Sequence, residues 1–284
     1  MLYNLIIVLS VVLSVGCVTL LGLTGLPCVL AAAGLALVWF LLLGLLAALV
    51  LFLICRTVDQ TQPVTEDSPF FRKLAGLYID ALIRLFRIRL HPSGFQQAPK
   101  EGRFFLVCNH LFIADPALLM HCLPRAQLAF VTKKENEKLP FVGPIMHKLL
   151  CQSIDRDNDR ASLKGILNCI KFIKEDKASI GIFPEGGTSK DGKLHKFRAG
   201  AFKIAQRTRV PIVVCTIQNS KPIFHNALRF KPTHIQLHLV KVIQPEEYEG
   251  MNTNQMADMA YNLMLQDLGE DFRPEAPKAA PQSE

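Results

Sequence analysis

The spacing of apolar positions divides the chain into three regimes. Residues 2–24 and 28–55 are nearly continuous in apolar side chains. Each run exceeds the roughly 20 residues that a helix rising about 1.5 Å per residue needs to cross a bilayer. Gly25 and Pro27 punctuate the boundary between them. The pattern predicts a helical hairpin, spanning or re-entrant, that returns the chain to the side from which it entered. Residues 57–68 are polar and irregular and predict a linker.

Across 69–90 the period changes to that of an amphipathic helix. Phe70, Leu74, Leu77, Ala81, Leu85 and Ile88 recur on one face, and Arg72, Lys73, Asp80, Arg84 and Arg87 fall largely on the other. Such a helix can pack on a domain core and still lie among anionic headgroups. Beyond it, short apolar runs alternate with helical stretches. Strands are predicted at 104–108, 127–132, 179–183, 210–217 and 234–243, and helices at 116–122, 160–175 and 199–208. The expected fold is α/β: a mostly parallel central sheet flanked by helices over 91–270, behind the N-terminal two-helix membrane hairpin of residues 1–55. The Pro- and Ala-rich end, 271–284, predicts a disordered tail.

Charge sharpens this picture. The first charged residue is Arg56, and the net charge of +8 lies entirely beyond residue 55. The Lys and Arg excess places the body of the protein on the cytoplasmic face of a membrane. A signal peptide fits poorly, because the basic n-region is missing and a second apolar run follows. The eight cysteines are scattered without a C-x-x-C pair, which predicts neither a disulfide framework nor a zinc site.

Two stretches carry candidate chemistry. In "FLVCNHLFIADP" an apolar strand ends at Asn109 and His110, and Asp115 follows five residues after the histidine. In one regular helix that separation would set the side chains roughly 140° apart. In a loop entering a helix at Pro116, with Asp115 as N-cap, the carboxylate can fold back onto the imidazole and fix its tautomer. In "SIGIFPEGGTS" a strand stops at Pro184, and Glu185, Gly186, Gly187 and Thr188 form a loop whose exposed amides suit an oxyanion or a phosphate. Cys108 precedes His110 by two and raises the rival idea of an acyl-thiol intermediate. His234 and His238 share a strand face with Gln236, which reads as a solvated polar face.

Together these blocks resemble those of the glycerolipid acyltransferase family. "NHLFIADP" is similar to its NH-x4-D block, "FPEGGTS" to its FPEGTRS block, the end of "CQSIDRD" to its I-D-R segment and "VPIVVC" to its VPIVPV block, in family order. "KKENEKLPFVG" and "KFRAGAF" resemble the segments between them. The resemblance implies transfer of a fatty acyl group from an acyl-CoA or acyl-carrier-protein thioester, a co-substrate and not a bound cofactor, to the second hydroxyl of lysophosphatidic acid. It makes His110 the general base and Asp115 its orienting acid. It assigns acceptor binding to Lys133, Arg156, Glu185, Gly186, Gly187 and Thr188. Membrane lipids are the expected partners, with no nucleic acid and no metal.

One departure affects specificity. Thr188 stands where the family loop has arginine, so a bidentate phosphate fork is replaced by a hydroxyl. Lys190, Lys196 and Arg198 lie near enough in sequence to take its place. The departure leaves a different lysophospholipid or polar lipid open as acceptor. A membrane lipid-binding protein without turnover is the alternative from another class.

Overall fold

The computed structural model describes residues 1–154 and 159–274. The two apolar runs are helices, α1 (Leu2–Leu20) and α2 (Gly25–Arg56), packed against each other, with Ser14 Oγ donating to Ala32 O at 2.5 Å. Most of their side chains face outward and are apolar, the arrangement expected of helices whose solvent is lipid. The C-terminal turns of α2 are the exception. Leu51 and Cys55 are buried there, and Phe52 meets Phe141 edge-on at 6.1 Å.

The amphipathic segment forms α3 (Pro69–Leu85), capped by Ser68, whose Oγ accepts from Phe71 N. The helix stops five residues short of the predicted end at 90. Arg87 adopts a left-handed φ of 52°, and Ile88–Ser93 become strand β1. The helical period over 69–88 hid a change of period, because Ile88 and Leu90 also satisfy the alternation of a strand. Met1's ammonium bonds Asp80 at 2.7 Å and Tyr78 Oη bonds Ala47 O at 2.7 Å, so α3 runs across the base of the hairpin.

The remaining strands are β2 (Phe105–Cys108), β3 (Leu128–Lys133), β4 (Gln152–Ile154), β5 (Ser179–Ile182), β6 (Ile212–Gln218) and β7 (Thr233–Ile243). Among the described residues these seven strands form one sheet of order β1-β7-β6-β2-β5-β3-β4, parallel except at β6–β7. β1 and β4, the two edge strands, are the ones that the apolar runs did not predict. The tail prediction meets a short 3-10 turn at Glu270–Phe272, and residues 275–284 lie outside the described residues.

Strands β2, β3, β6 and β7 each contribute to two cores. On β2, Phe105 and Val107 face a layer with α6 (Asp159–Lys174), α7 (Lys203–Thr208) and α9 (Thr253–Leu268). Leu106 and Cys108 face the opposite layer with α4 (Asp115–Cys122) and α8 (Ile223–Leu228). Burying each large apolar side chain contributes about 1.5–3 kcal/mol. This double layer holds the carboxyl ends of β2, β5 and β3 side by side, where ligands of parallel sheets gather. A smaller cluster of Phe71, Ala75 and Leu149 joins α3 to α5 (Val142–Lys148).

Candidate active site

The site is built at the end of β2. Asn109 is buried and clamps the neighbouring strand: its Oδ1 accepts from Ile217 N at 2.8 Å and its Nδ2 donates to Ile217 O at 2.9 Å. This side chain continues the β2–β6 pairing one residue beyond the ladder and sets where His110 leaves the sheet.

Asp115 is fully buried and folds back over the loop. Its Oδ2 accepts from His110 Nδ1 at 2.9 Å and from the backbone N–H groups of Leu111 and Phe112, both at 2.7 Å. Three donors converging on Oδ2 offset part of the several kcal/mol that burying a carboxylate costs, while Oδ1 is buried without a hydrogen-bond partner among the described residues. The helix begins at Asp115 itself, so the residue is its first turn and not its N-cap, and its carboxylate serves the preceding loop and not the helix amides. Because a carboxylate only accepts, Nδ1 carries the proton and Nε2 is left as the basic nitrogen.

The ring plane is fixed separately. Phe183 stacks on His110 at 4.1 Å and 21°, and Phe130 stacks on Phe183 at 5.7 Å and 10°. Phe130 reaches there because residue 181 is glycine: a Cβ at Gly181 would stand 2.5 Å from the Phe130 ring. Neither aromatic was singled out from the sequence. The signal was present in "GIF", a glycine two positions before the aromatic that ends the strand.

Glu185 reaches the loop from the other side. Its Oε1 accepts the backbone N–H of His110 at 2.9 Å and its Oε2 that of His195 at 3.0 Å. Burial pushes its carboxyl above the ordinary value, against the two backbone donors that lower it. Ser189 N donates to His110 O at 2.7 Å. His110 is thereby held at its N–H, its C=O and its ring.

Gly186 has φ +81°, and a Cβ there would meet Arg198 Nε at 2.6 Å. The Arg198 side chain lies across the glycine loop, and its backbone N–H donates to Pro184 O at 2.9 Å. Gly187 is half-buried and Thr188 exposed in the same loop. Lys133 is exposed at the carboxyl end of β3, on the sheet edge shared with His110. Arg156 lies outside the described residues.

The rival readings fare differently. Cys108 is fully buried in the α4–α8 layer, and burial pushes its thiol well up, away from the thiolate that a nucleophile requires. His234 stacks on His91 at 5.2 Å and remains exposed, as expected of a polar face. His238 does acquire a carboxylate: Asp267, brought in by α9, accepts from its Nδ1 at 2.6 Å and from Thr216 Oγ1 at 2.5 Å.

The chain is similar in sequence and fold to known proteins. Residues 89–218 match the family model described as Acyltransferase. A coconut (Cocos nucifera) 1-acyl-sn-glycerol-3-phosphate acyltransferase is 30% identical over 61% of this chain and 56% of its own length. The protein of the same name from Borreliella burgdorferi is 26% identical over 58% of this chain and 67% of its own. The chain thus spans between about half and two thirds of these relatives. The crystal structure of the 1-acyl-sn-glycerophosphate (LPA) acyltransferase PlsC from Thermotoga maritima superposes with a TM-score of 0.56 at 22% identity, covering 69% of this chain and 79% of that one, a likeness of fold. Over residues 89–218 the chain is thus similar to the acyltransferase family.

Proposed function

We propose that this protein is a membrane-anchored O-acyltransferase that moves a fatty acyl group from an acyl thioester to the second hydroxyl of lysophosphatidic acid, giving phosphatidic acid. The observation that carries the reading is the His110 imidazole, held by Asp115 at Nδ1 and by Phe183 across its face, with Nε2 left to act. The names of the relatives supply the substrate class.

The step balances without a further reactant. His110 Nε2 takes the proton of the acceptor hydroxyl as its oxygen bonds the thioester carbonyl carbon. The tetrahedral intermediate then expels the thiolate, the C–S bond breaks, and the imidazolium returns the proton to sulfur. Asp115 stabilises the imidazolium in between. In this reading Arg198, whose side chain lies over Gly186, holds the acceptor phosphate where the loop has Thr188. The exposed Lys133 adds charge from β3. The donor rides on coenzyme A or an acyl carrier protein, and the hairpin keeps the domain at the cytoplasmic face, where lysolipid and acyl chain both partition.

Thr188 favours one second reading, an acceptor with a different polar head. Thiol release from acyl-CoA and from acyl carrier protein, measured with lysophosphatidic acid and with a panel of other lysolipids, tests both. Release that depends on lysophosphatidic acid supports the first reading, release with another lysolipid alone the second, and no acceptor-dependent release overturns both.

A further inference from the structure

The region beyond the catalytic loop presents an apolar surface that the proposed chemistry does not use. On α8 and the turn after it, Phe224, Leu228 and Phe230 are 51%, 83% and 77% exposed. The Phe224 ring meets Phe86, at the end of α3, at 5.5 Å, and Phe112, in the His110 loop, at 5.1 Å. Leu82 and Leu85 on α3 and Ile113 beside Phe112 extend the patch, and all three are exposed.

The projection of Phe230 is enforced. Its φ is 55°, a left-handed conformation that bulky residues rarely adopt. Arg87, itself at φ 52°, holds it there: Nη1 donates to Phe230 O at 2.6 Å, and the guanidinium carbon stands 5.8 Å from the ring centre. A fold that accepts backbone strain in order to hold an aromatic ring outward is using that ring.

Charge identifies the occupant. The sequence has no Asp or Glu from 81 to 100 or from 192 to 245. Arg87, Arg89, Lys221, Arg229 and Lys231 are exposed on or next to the elements that form the patch, as is Arg84, which pairs with Asp80 at 3.2 Å. A basic border around projecting aromatic and leucine side chains matches an anionic lipid surface. The patch is also continuous with the hairpin, since Met1, where α1 starts, bonds Asp80 one turn before Arg84. Leu82 and Leu85 therefore sit at the level where the hairpin leaves the domain.

We infer that α8 and the Phe230 turn form a second membrane contact, inserted into the same anionic leaflet that the N-terminal hairpin enters, so that the His110 loop opens directly onto lipid. The inference rests on the bilayer anchoring proposed above and not on the acyl-transfer chemistry. Seating the loop this way lets an acyl chain slide from leaflet to catalytic site along Phe112 and Phe224 without crossing water.

The single tryptophan, Trp39, lies within α2 and reports on the hairpin. The full chain is reconstituted in phosphatidylcholine vesicles with and without phosphatidylglycerol, carrying a spin label near the top of the acyl chain. Fluorescence is read for the wild type and, in a Trp39→Phe background, for Phe230→Trp and Leu167→Trp. Leu167 is exposed on α6, across the sheet from α8. The expected result is quenching of F230W by at least about twofold, strongest with phosphatidylglycerol, and none of L167W. Quenching of wild-type Trp39 without quenching of F230W overturns the second contact while leaving the anchor standing. Equal quenching of F230W and L167W overturns it too, because the sheet face would then not be oriented. Quenching of F230W in a chain that shows no acceptor-dependent thiol release supports the membrane contact while the proposed chemistry fails.

Discussion

Glu185 bonds the backbone of the residue whose side chain carries the proposed chemistry: its Oε1 takes the His110 N–H at 2.9 Å, while its Oε2 takes that of His195. Both oxygens face inward to the chain, so the residue acts as a brace between two loops and positions the imidazole. Glutamine has one acceptor oxygen and sets an NH2 against the second backbone donor. Leaving such a buried donor unpaired costs about 1–3 kcal/mol. Glu185→Gln is expected to lower kcat by roughly 10- to 100-fold with KM little changed. Amide hydrogen exchange at His110 and His195 should quicken in parallel. Unchanged exchange with a raised KM would assign Glu185 to the acceptor instead.

Variants at His110 and Asp115 separate removing the proposed base from disabling it. His110→Ala should reduce turnover on the order of 100- to 10,000-fold without loss of the folded state. Asp115→Asn keeps an acceptor for the Leu111 and Phe112 amides but loses the charge that stabilises the imidazolium. Its kcat should fall towards the His110→Ala level, and the double variant should lose little more than either single one, because the two act as a unit. Steady-state kinetics beside far-UV circular dichroism reads both. Additive losses would mean that the residues work independently.

The parts legible in the sequence were those whose signal is local. The strand ending at Asn109, the histidine–aspartate spacing and the strand ending at Phe183 each show within a dozen residues. The dyad formed as expected because a loop, unlike a helix, lets Asp115 reach back to His110. What stayed hidden depends on neighbours distant in sequence. β1 exists because β7 offers it a parallel edge, Ile88 opposite Thr233, and its local period fits a helix equally well. Asp267 joins His238 only because α9 lies across β6 and β7. The Phe130–Phe183–His110 stack needs three strand ends brought together.

Arg198 offers a test of the proposed headgroup. The structure lays its guanidinium stem over Gly186, one residue after Glu185. A charge-assisted contact to phosphate is worth about 1.5–3 kcal/mol. Arg198→Gln should raise KM for lysophosphatidic acid by roughly 10- to 100-fold and barely alter kcat at saturation. Uncharged lysolipids, if accepted at all, should be insensitive to the change. An equal effect on charged and neutral acceptors would move the phosphate site elsewhere, with Lys133 next to be tested.

Cys108 gives the opposite expectation. Its thiol is buried against α4 and α8 and pushed up by that burial, so it supplies no nucleophile near neutral pH. Cys108→Ala should keep acyl transfer within about twofold of wild type and cost about 1 kcal/mol of stability from the small void. Mass spectrometry of the chain incubated with acyl-CoA alone should show no thioester on Cys108. A stable acyl adduct lost in the alanine variant would restore the covalent route.

Asp191 ties acid stability to the loop that carries Ser189. Its carboxylate accepts from Lys193 N at 3.0 Å, His195 Nε2 at 2.9 Å and Ser189 Oγ at 2.9 Å, and the Lys193 backbone donor above all holds its ionisation well below the ordinary carboxylate range. A folded-state value beneath the unfolded one of about 3.9 means that the native state favours the ionised form. The stability this gives is full above about pH 4 and is lost as pH falls towards the folded value. Asp191→Asn should therefore melt at a lower temperature than wild type at pH 7, and the gap should close as pH drops below about 4. Half the side chain meets solvent, so added salt should narrow the pH 7 gap as well. Differential scanning calorimetry in detergent across this range tests the sign. A gap that widens on acidification would show that Asp191 stabilises the loop through its neutral form.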